Sequence, residues 1–399
     1  MYKIINRKKL FAAIMADTIG KTIFLPKLLF KRTDKIRHEE IKEILVIRTA
    51  YIGDVIMTIP IIKPLKEGFT DAKLSFLTAE RAKYILENNP YIDEIITYDP
   101  FWFYPVTKGK AVRDYLAFLK LLRSKYYDLV IEARADIRDI ALLAYPSRSR
   151  YRVSYDVGGG GFLLTHVVPF NKIKHRVEYH LDIVRFLGAG AGKFEWDMYL
   201  TTEERNSGKA LLTTQGIADS DAVVGIHPGG RKGLKCWSAR KYAEVSDWII
   251  SKYNAKVIFT GSGEEIKLIE DIMGKMSAKA VSLAGKTDLR ILASLLERFN
   301  LFICNDSAPL HIASAIKTPT VAIFGPSKSN ETGPYGNIHR VVEKDFPCRY
   351  TCDEDVCLNK INNECMNAIT PEDLFNAVKD IMNEIADKGL KLPEKILKG

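Results

Sequence analysis

The sequence predicts an α/β protein of two doubly wound units in tandem, and three observations carry that prediction. Short β-branched apolar runs alternate with longer helical segments from residue 44 onward. The runs are continuously apolar, as in parallel strands covered on both faces. The whole series restarts near residue 220. Length and composition agree, because 399 residues at 47% hydrophobic and 27% charged suit two domains and exclude collagen-like, disordered and disulfide-scaffold chains.

The first element is a basic segment, residues 1–43. Residues 1–37 hold ten Lys/Arg against Asp17 and Asp34, which is +8 of the net +10. A basic head on a nearly balanced body points to an anionic membrane surface as partner and away from nucleic acid, whose binders carry their excess on a folded face. The apolar run from Leu10 is broken by Asp17 and Lys21, so neither a signal peptide nor a spanning helix of about 20 apolar residues is expected. At helical spacing Phe11, Met15, Ile19 and Ile23 share one stripe, opposite Asp17 and Lys21. Two readings stand: a helix lying on a membrane, or a first helix packed on its own domain.

Residues 44–195 read as the first Rossmann-like domain, with strands at 44–48, 73–78, 94–98, 128–133 and 152–155. A helix over 177–187 runs into Gly188, Gly190 and Gly192, and residues 196–220 read as a linker. Residues 221–370 read as the second domain, with strands at 222–227, 256–260, 280–284, 301–305 and 320–324. After Gly325 the alternation stops. A cysteine-rich loop covers 348–365, and a helix and tail, 371–399, begin at Pro371 behind a Thr370 cap.

Open α/β sheets bind ligands beyond the carboxyl ends of their strands, so the turns there hold the candidate residues. After the first strand, Gly53 allows close approach to the backbone and Asp54 sits in the first turn of a helix, where its position alone reads as a cap. In the second unit, Gly229, Gly230 and Arg231 with Lys235 form a candidate phosphate cradle. One strand later, Glu264 and Glu265 are candidates to accept from a ribose. Asp306, Ser307 and Ala308 open a small-residue helix whose N-terminus favours an anion, with His311 one turn further in.

These motifs together resemble glycosyltransferase family 9, the ADP-heptose:lipopolysaccharide heptosyltransferases. The resemblance rests on Gly53-Asp54-Val55 through Thr58-Ile59-Pro60, on His227-Pro228-Gly229-Gly230-Arg231 with Lys235 and Trp237, on Asp306-Ser307-Ala308 with His311, and on Phe324-Gly325-Pro326 with Pro334-Tyr335-Gly336. It implies a GT-B fold, two Rossmann-like domains facing a central cleft, with the acceptor on the first and a nucleotide sugar on the second. It also implies inverting transfer of heptose or a related sugar, with ADP-heptose as the expected donor and a lipid-linked acidic saccharide of the lipopolysaccharide core as acceptor. Asp54 becomes the general base, its pKa raised by desolvation. Lys235, the amides of Ser307 and Ala308, and His311 take up the leaving diphosphate's charge. Arg134 and Arg138, four residues apart, are candidates to grip an acidic acceptor from one helical face, and the Gly158–Gly161 run to fold over it. The alternatives are a GT-B transferase or epimerase for another nucleotide sugar, and a noncatalytic partner in envelope-polysaccharide assembly.

No catalytic metal is expected, since no Asp-x-Asp pair ends a strand. Cys236 and Cys304 read as core. Cys348, Cys352, Cys357 and Cys365, spaced C-x3-C-x4-C-x7-C, are candidates for a structural zinc or an iron–sulfur cluster, or else for free thiols or a labile disulfide. The chain is expected to work in the cytoplasm, peripheral to the inner membrane.

Overall fold

A computed structural model describes residues 6–26, 35–104, 108–190, 194–352 and 354–388. The remainder of the basic head and of the C-terminal tail lies outside the described residues. The chain divides into two compact units, Met1–Trp196 and Asp197–Gly399.

The first unit is a parallel six-stranded sheet of order β3-β2-β1-β4-β5-β6. Its strands are β1 Glu43–Arg48, β2 Lys73–Thr78, β3 Glu94–Thr97, β4 Leu129–Glu132, β5 Tyr151–Ser154 and β6 His166–Val167. Central β1 runs between β2 and β4, with Val46 level with Phe76 and Ile131. Leu45, Ile47, Leu77 and Val130 bury one face of the sheet against Phe118, Leu119 and Leu122, each full burial stabilising by about 1.5–3 kcal/mol. The sequence missed β6 because two residues are too few to show a period.

Its helices include α1 Arg7–Ile23, α2 Ile52–Ile56, α3 Lys108–Ser124 and α4 Arg176–Leu187. Helix α1 packs on its own unit through Ala13, Asp17 and Gly20, which are buried, while Phe11, Met15, Ile19 and Ile23 are 67%, 45%, 54% and 69% exposed. The helix is therefore docked, and its apolar stripe points away from the docking seam. Among the described residues no helix is long and apolar enough to cross a membrane.

The second unit repeats the design, with order β12-β11-β10-β7-β8-β9. Its strands are β7 Val223–His227, β8 Lys256–Phe259, β9 Val281–Ser282, β10 Leu301–Asn305, β11 Thr320–Phe324 and β12 His339–Glu343. All its pairings are parallel. Strand β12 corrects the expectation that alternation ends at Gly325. It is a half-exposed edge strand, so it lacks the continuous apolar run that marks its neighbours.

Residues 197–220 are not a linker but part of this unit. They carry α5 Thr202–Thr214, whose N-terminus has a full capping box between Thr201 and Glu204. This helix packs on α7 Leu289–Leu296, and α6 Ala239–Tyr253 lies between the two in sequence. Gly208 makes the approach possible, because a Cβ there would lie 2.1 Å from Ser294 Oγ. Buried Arg290 locks the junction through Glu204 and the carbonyls of Met198 and Tyr199. The polar sequence of α5 hides its narrow apolar edge. Two further helices, α8 Ala308–Ile316 and α9 Pro371–Asp387, complete the unit, and Leu374, Val378 and Ile381 of α9 join its core.

Candidate active site

In each unit the strand order reverses between two central strands, β1 and β4 in the first and β7 and β10 in the second. Crevices at such switch points are where doubly wound sheets hold ligands. The candidate residues gather at both.

At the first switch point β1 ends in Arg48, whose side chain is 1% exposed, and its Nη2 lies 3.1 Å from Asp54 Oδ1. Arg48 Nη1 also donates to the Ala133 carbonyl at 3.1 Å. Burial lowers the Arg48 pKa, and Asp54 is the first group to oppose that shift. Asp54 is thus an oriented carboxylate, 20% exposed, next to Gly53 in the first turn of α2. The cap position of that helix is Tyr51, whose side chain makes no capping bond, and Asp54 lies inside the first turn. The sequence missed Arg48, whose signal was a lone cation ending an otherwise apolar buried strand.

The turn after β4 is pinned by Glu132, which accepts from the amides of Arg134 (3.0 Å) and Ala135 (2.7 Å) and from Ser154 Oγ (2.7 Å). Burial first, and then Asp139, push the Glu132 carboxyl up to about 8. Asp139, also raised by burial and by Asp136, to about 6, accepts from Thr49 Oγ1 and Trp102 Nε1. Neither carboxyl was singled out from sequence, since their burial beside Ser154, Thr49 and Trp102 comes from partners far along the chain.

Arg134 and Arg138 do come together, though not on one helical face. Arg134 lies in the turn and Arg138 in a single helical turn, Ile137–Asp139. Both guanidinium groups stand over the Phe103 ring, at 4.1 and 4.4 Å. Asp136 lies between them, accepting from Arg138 Nε at 2.9 Å and 3.5 Å from Arg134 Nε. Burial works against the charge on Asp136, but the two arginines hold its carboxyl below the usual range. The Gly158–Gly161 loop is tied down rather than open, because the buried Gly160 amide donates to Asp17 Oδ1 at 2.7 Å.

At the second switch point the loops after β7 and β10 meet. Asn305 Nδ2 donates to the carbonyls of Pro228 and Gly229, and its Oδ1 accepts from Tyr242. Lys235 Nζ reaches Asp306 Oδ2 at 2.6 Å and Glu354 Oε2 at 2.8 Å. Burial works against its charge, yet Asp306 and Glu354 hold the ammonium above its usual range. Ser307 caps α8 without a side-chain capping bond; Pro309 has no N–H and the Leu310 amide donates to the Ser307 carbonyl, so Ala308 supplies the amide at the helix's positive end, and His311 is buried in the same helix. Gly230 and Arg231 follow β7, and Arg231 is exposed.

Glu264 and Glu265 separate. Glu264 is exposed, whereas Glu265 caps its own turn by accepting from the Ser262 amide at 2.7 Å. It also fills the space over Gly229, where a Cβ would fall 1.8 Å from Glu265 Oε1. The ribose expectation for Glu265 therefore meets a carboxylate already used in local structure. Glu354 was missed: it belongs to the cysteine-rich loop and reaches Lys235 only through the fold.

Cys348, Cys352, Cys357 and Cys365 line one cavity of about 240 Å³ with Arg349 and Leu234. Among the described residues no three His, Cys, Asp or Glu side chains are placed to share a metal ion. Cys304 is fully buried, as expected of a core thiol, but Cys236 is only partly so.

The family model described as "Glycosyltransferase family 9 (heptosyltransferase)" matches residues 115–361, more than half of the chain. The chain belongs to glycosyltransferase family 9. This family 9 chain is a glycosyltransferase. It is 28% identical to Lipopolysaccharide heptosyltransferase 3 of Escherichia coli K12 over 84% of its own length and 97% of the relative's. It is 23% identical to the Lipopolysaccharide core heptosyltransferase OpsX of Haemophilus influenzae, over 75% and 84%. Among solved structures, a family 9 glycosyl transferase from Veillonella parvula superposes with a TM-score of 0.75 at 22% identity, over 88% of this chain and all of that one. E. coli ADP-heptose heptosyltransferase II gives 0.68 at 19%, over 86% and 99%. The fold of the family 9 chain is therefore GT-B, built from the two units described.

Proposed function

We propose that this glycosyltransferase moves heptose, with inversion, from ADP-heptose to an acidic acceptor of the lipopolysaccharide core at the inner face of the inner membrane. The carrying observation is the division of chemistry between the switch points. One holds a carboxylate aimed by a buried arginine, and the other a lysine beside a helix N-terminus. Asp54 takes the proton of the acceptor hydroxyl as that oxygen attacks the anomeric carbon. The bond to the diphosphate breaks on the opposite face, and its charge passes to Lys235, the amides of Ser307 and Ala308, and His311. The diphosphate takes Glu354's place at Lys235. Acidic groups of the acceptor engage Arg134 and Arg138 in exchange for Asp136. The names of the curated relatives support the heptose and the core acceptor.

Calorimetry with ADP, UDP, GDP and ADP-heptose in EDTA tests the donor. Binding of the ADP forms, lost in Lys235→Ala, is expected, and preference for UDP or GDP would reject heptose. Asp54→Asn should abolish transfer and spare ADP binding, and full transfer by that variant would remove Asp54 from the mechanism.

A further inference from the structure

Helix α1 has two unlike faces. The seam turned to its own unit is small and polar. Asp17 Oδ1 holds the Gly160 amide, and a Cβ on Gly20 would lie 2.1 Å from the Phe162 ring. Just past the helix Phe24 meets Tyr145 edge-on, with ring centroids 5.8 Å apart. The other face shows Phe11, Met15, Ile19 and Ile23 to solvent. Thr18 and Thr22 lie near this stripe and spend their hydroxyls on the carbonyls of Ile14 and Thr18, at 2.8 and 2.9 Å. Their polarity is thus satisfied without water.

A second exposed apolar row, the pair Val112 and Leu116 one turn apart, lies on α3. That helix packs against the segment that Phe24, just past α1, touches: Tyr115 Oη donates to the Leu142 carbonyl at 2.9 Å and Arg123 Nε to the Pro146 carbonyl at 3.0 Å. Both rows sit in strongly basic sequence. Residues 1–37 carry +8, and α3 has five Lys/Arg against one Asp. Apolar side chains flanked by fixed positive charge match the boundary of an anionic bilayer, where chains sink below the headgroups and cations meet them.

We infer that α1 and α3 form a face that seats the enzyme on an anionic bilayer, and that the Asp17–Gly160 bond tethers this face to the acceptor side of the first unit. The tethered loop lies directly on the residues between Arg134 and Arg138. A Cβ at Gly158 would fall 1.8 Å from the Ala135 carbonyl oxygen, and Gly160, at φ +85°, packs on Ile137. A lipid-linked acceptor anchored in the same bilayer then meets an arginine cluster whose backing is fixed to that bilayer. This last step rests on the proposed acceptor, whereas the seat and the tether do not.

The test uses the full chain and reads no activity, so it fails or succeeds apart from donor and acceptor identity. In flotation with vesicles of phosphatidylethanolamine and phosphatidylglycerol, the protein should bind, and bind weakly to phosphatidylcholine alone. Ile19→Glu with Ile23→Glu should weaken binding at least about tenfold with an unchanged thermal melt, since neither side chain is buried in its own unit. Equal binding by wild type and variant overturns the seat. So does lipid-free self-association in ultracentrifugation that the variant abolishes, because a second copy would then cover the stripe. For the tether, Asp17→Ala should keep vesicle binding but speed hydrogen exchange at residues 158–161, and Asp17→Asn, which retains an acceptor oxygen, should restore protection. Unchanged exchange in Asp17→Ala overturns it.

Discussion

Asp54, Lys235 and Glu132 show how single side chains are set by neighbours the sequence does not place beside them. Lys235 is held by two carboxylates at ordinary hydrogen-bond distance, and in the proposed donor site one of them, Glu354, yields to the diphosphate. Glu354→Gln removes that competition, so calorimetry should show ADP binding about threefold tighter, the scale of one partly exposed ion pair. At Glu132 the folded chain keeps a proton that the unfolded chain releases between pH 4.5 and about 8. The stability this gives is complete below that window and is lost as pH rises through it. Melting temperature should therefore fall from about pH 5 to 8, and Glu132→Gln should flatten the fall. An unaltered slope in that variant would assign the pH dependence to other groups. The places of Asp54, Lys235 and Asp306 beyond strand ends were legible because a turn after a buried strand announces itself. Arg48, Glu132 and Glu354 were not, because each acts on a partner brought to it by the fold.

At the scale of elements, long apolar strands were read nearly to the residue, and β2, β10 and β11 have the expected bounds. What escaped was short or edge-like: β6, with two residues, and β12, half exposed on one edge of its sheet. Helix α5 escaped for a different reason. It is bound to α7 by a glycine contact and a buried arginine rather than by a broad apolar face. Gly208→Val should therefore overpack the junction against Ser294 and cost about 1–3 kcal/mol, read as a lower denaturant midpoint with an unchanged slope. A variant as stable as wild type would show that α5 can shift away from α7 without loss.

The whole molecule is two sheets, each with its own core and its own switch-point site, and this much was legible in the restart of the strand pattern near residue 220. Proposed donor contacts lie entirely in the second unit, and the proposed base and acceptor contacts in the first. Scanning calorimetry should accordingly resolve two transitions. ADP at a hundredfold excess over its Kd should stabilise one of them by about 2.7 kcal/mol and leave the other in place. A single transition that moves as one body with ADP would mean that the two cores unfold together.

The carboxylate of Glu354 on Lys235 also bears on product release. A nucleotide product leaves a cationic seat slowly unless something replaces it, and in the proposed donor site the replacement is built into the adjacent loop. Glu354 is well placed for this, since its backbone sits at φ +65° and its amide donates to Cys352 Sγ at 3.4 Å, which keeps the side chain close at hand. The same substitution that tightens ADP should then lower turnover by retarding product departure, so that affinity and kcat move in opposite directions. If Lys235 is the proposed diphosphate seat, the resting enzyme keeps its own counter-ion there, at hand for the moment the nucleotide leaves.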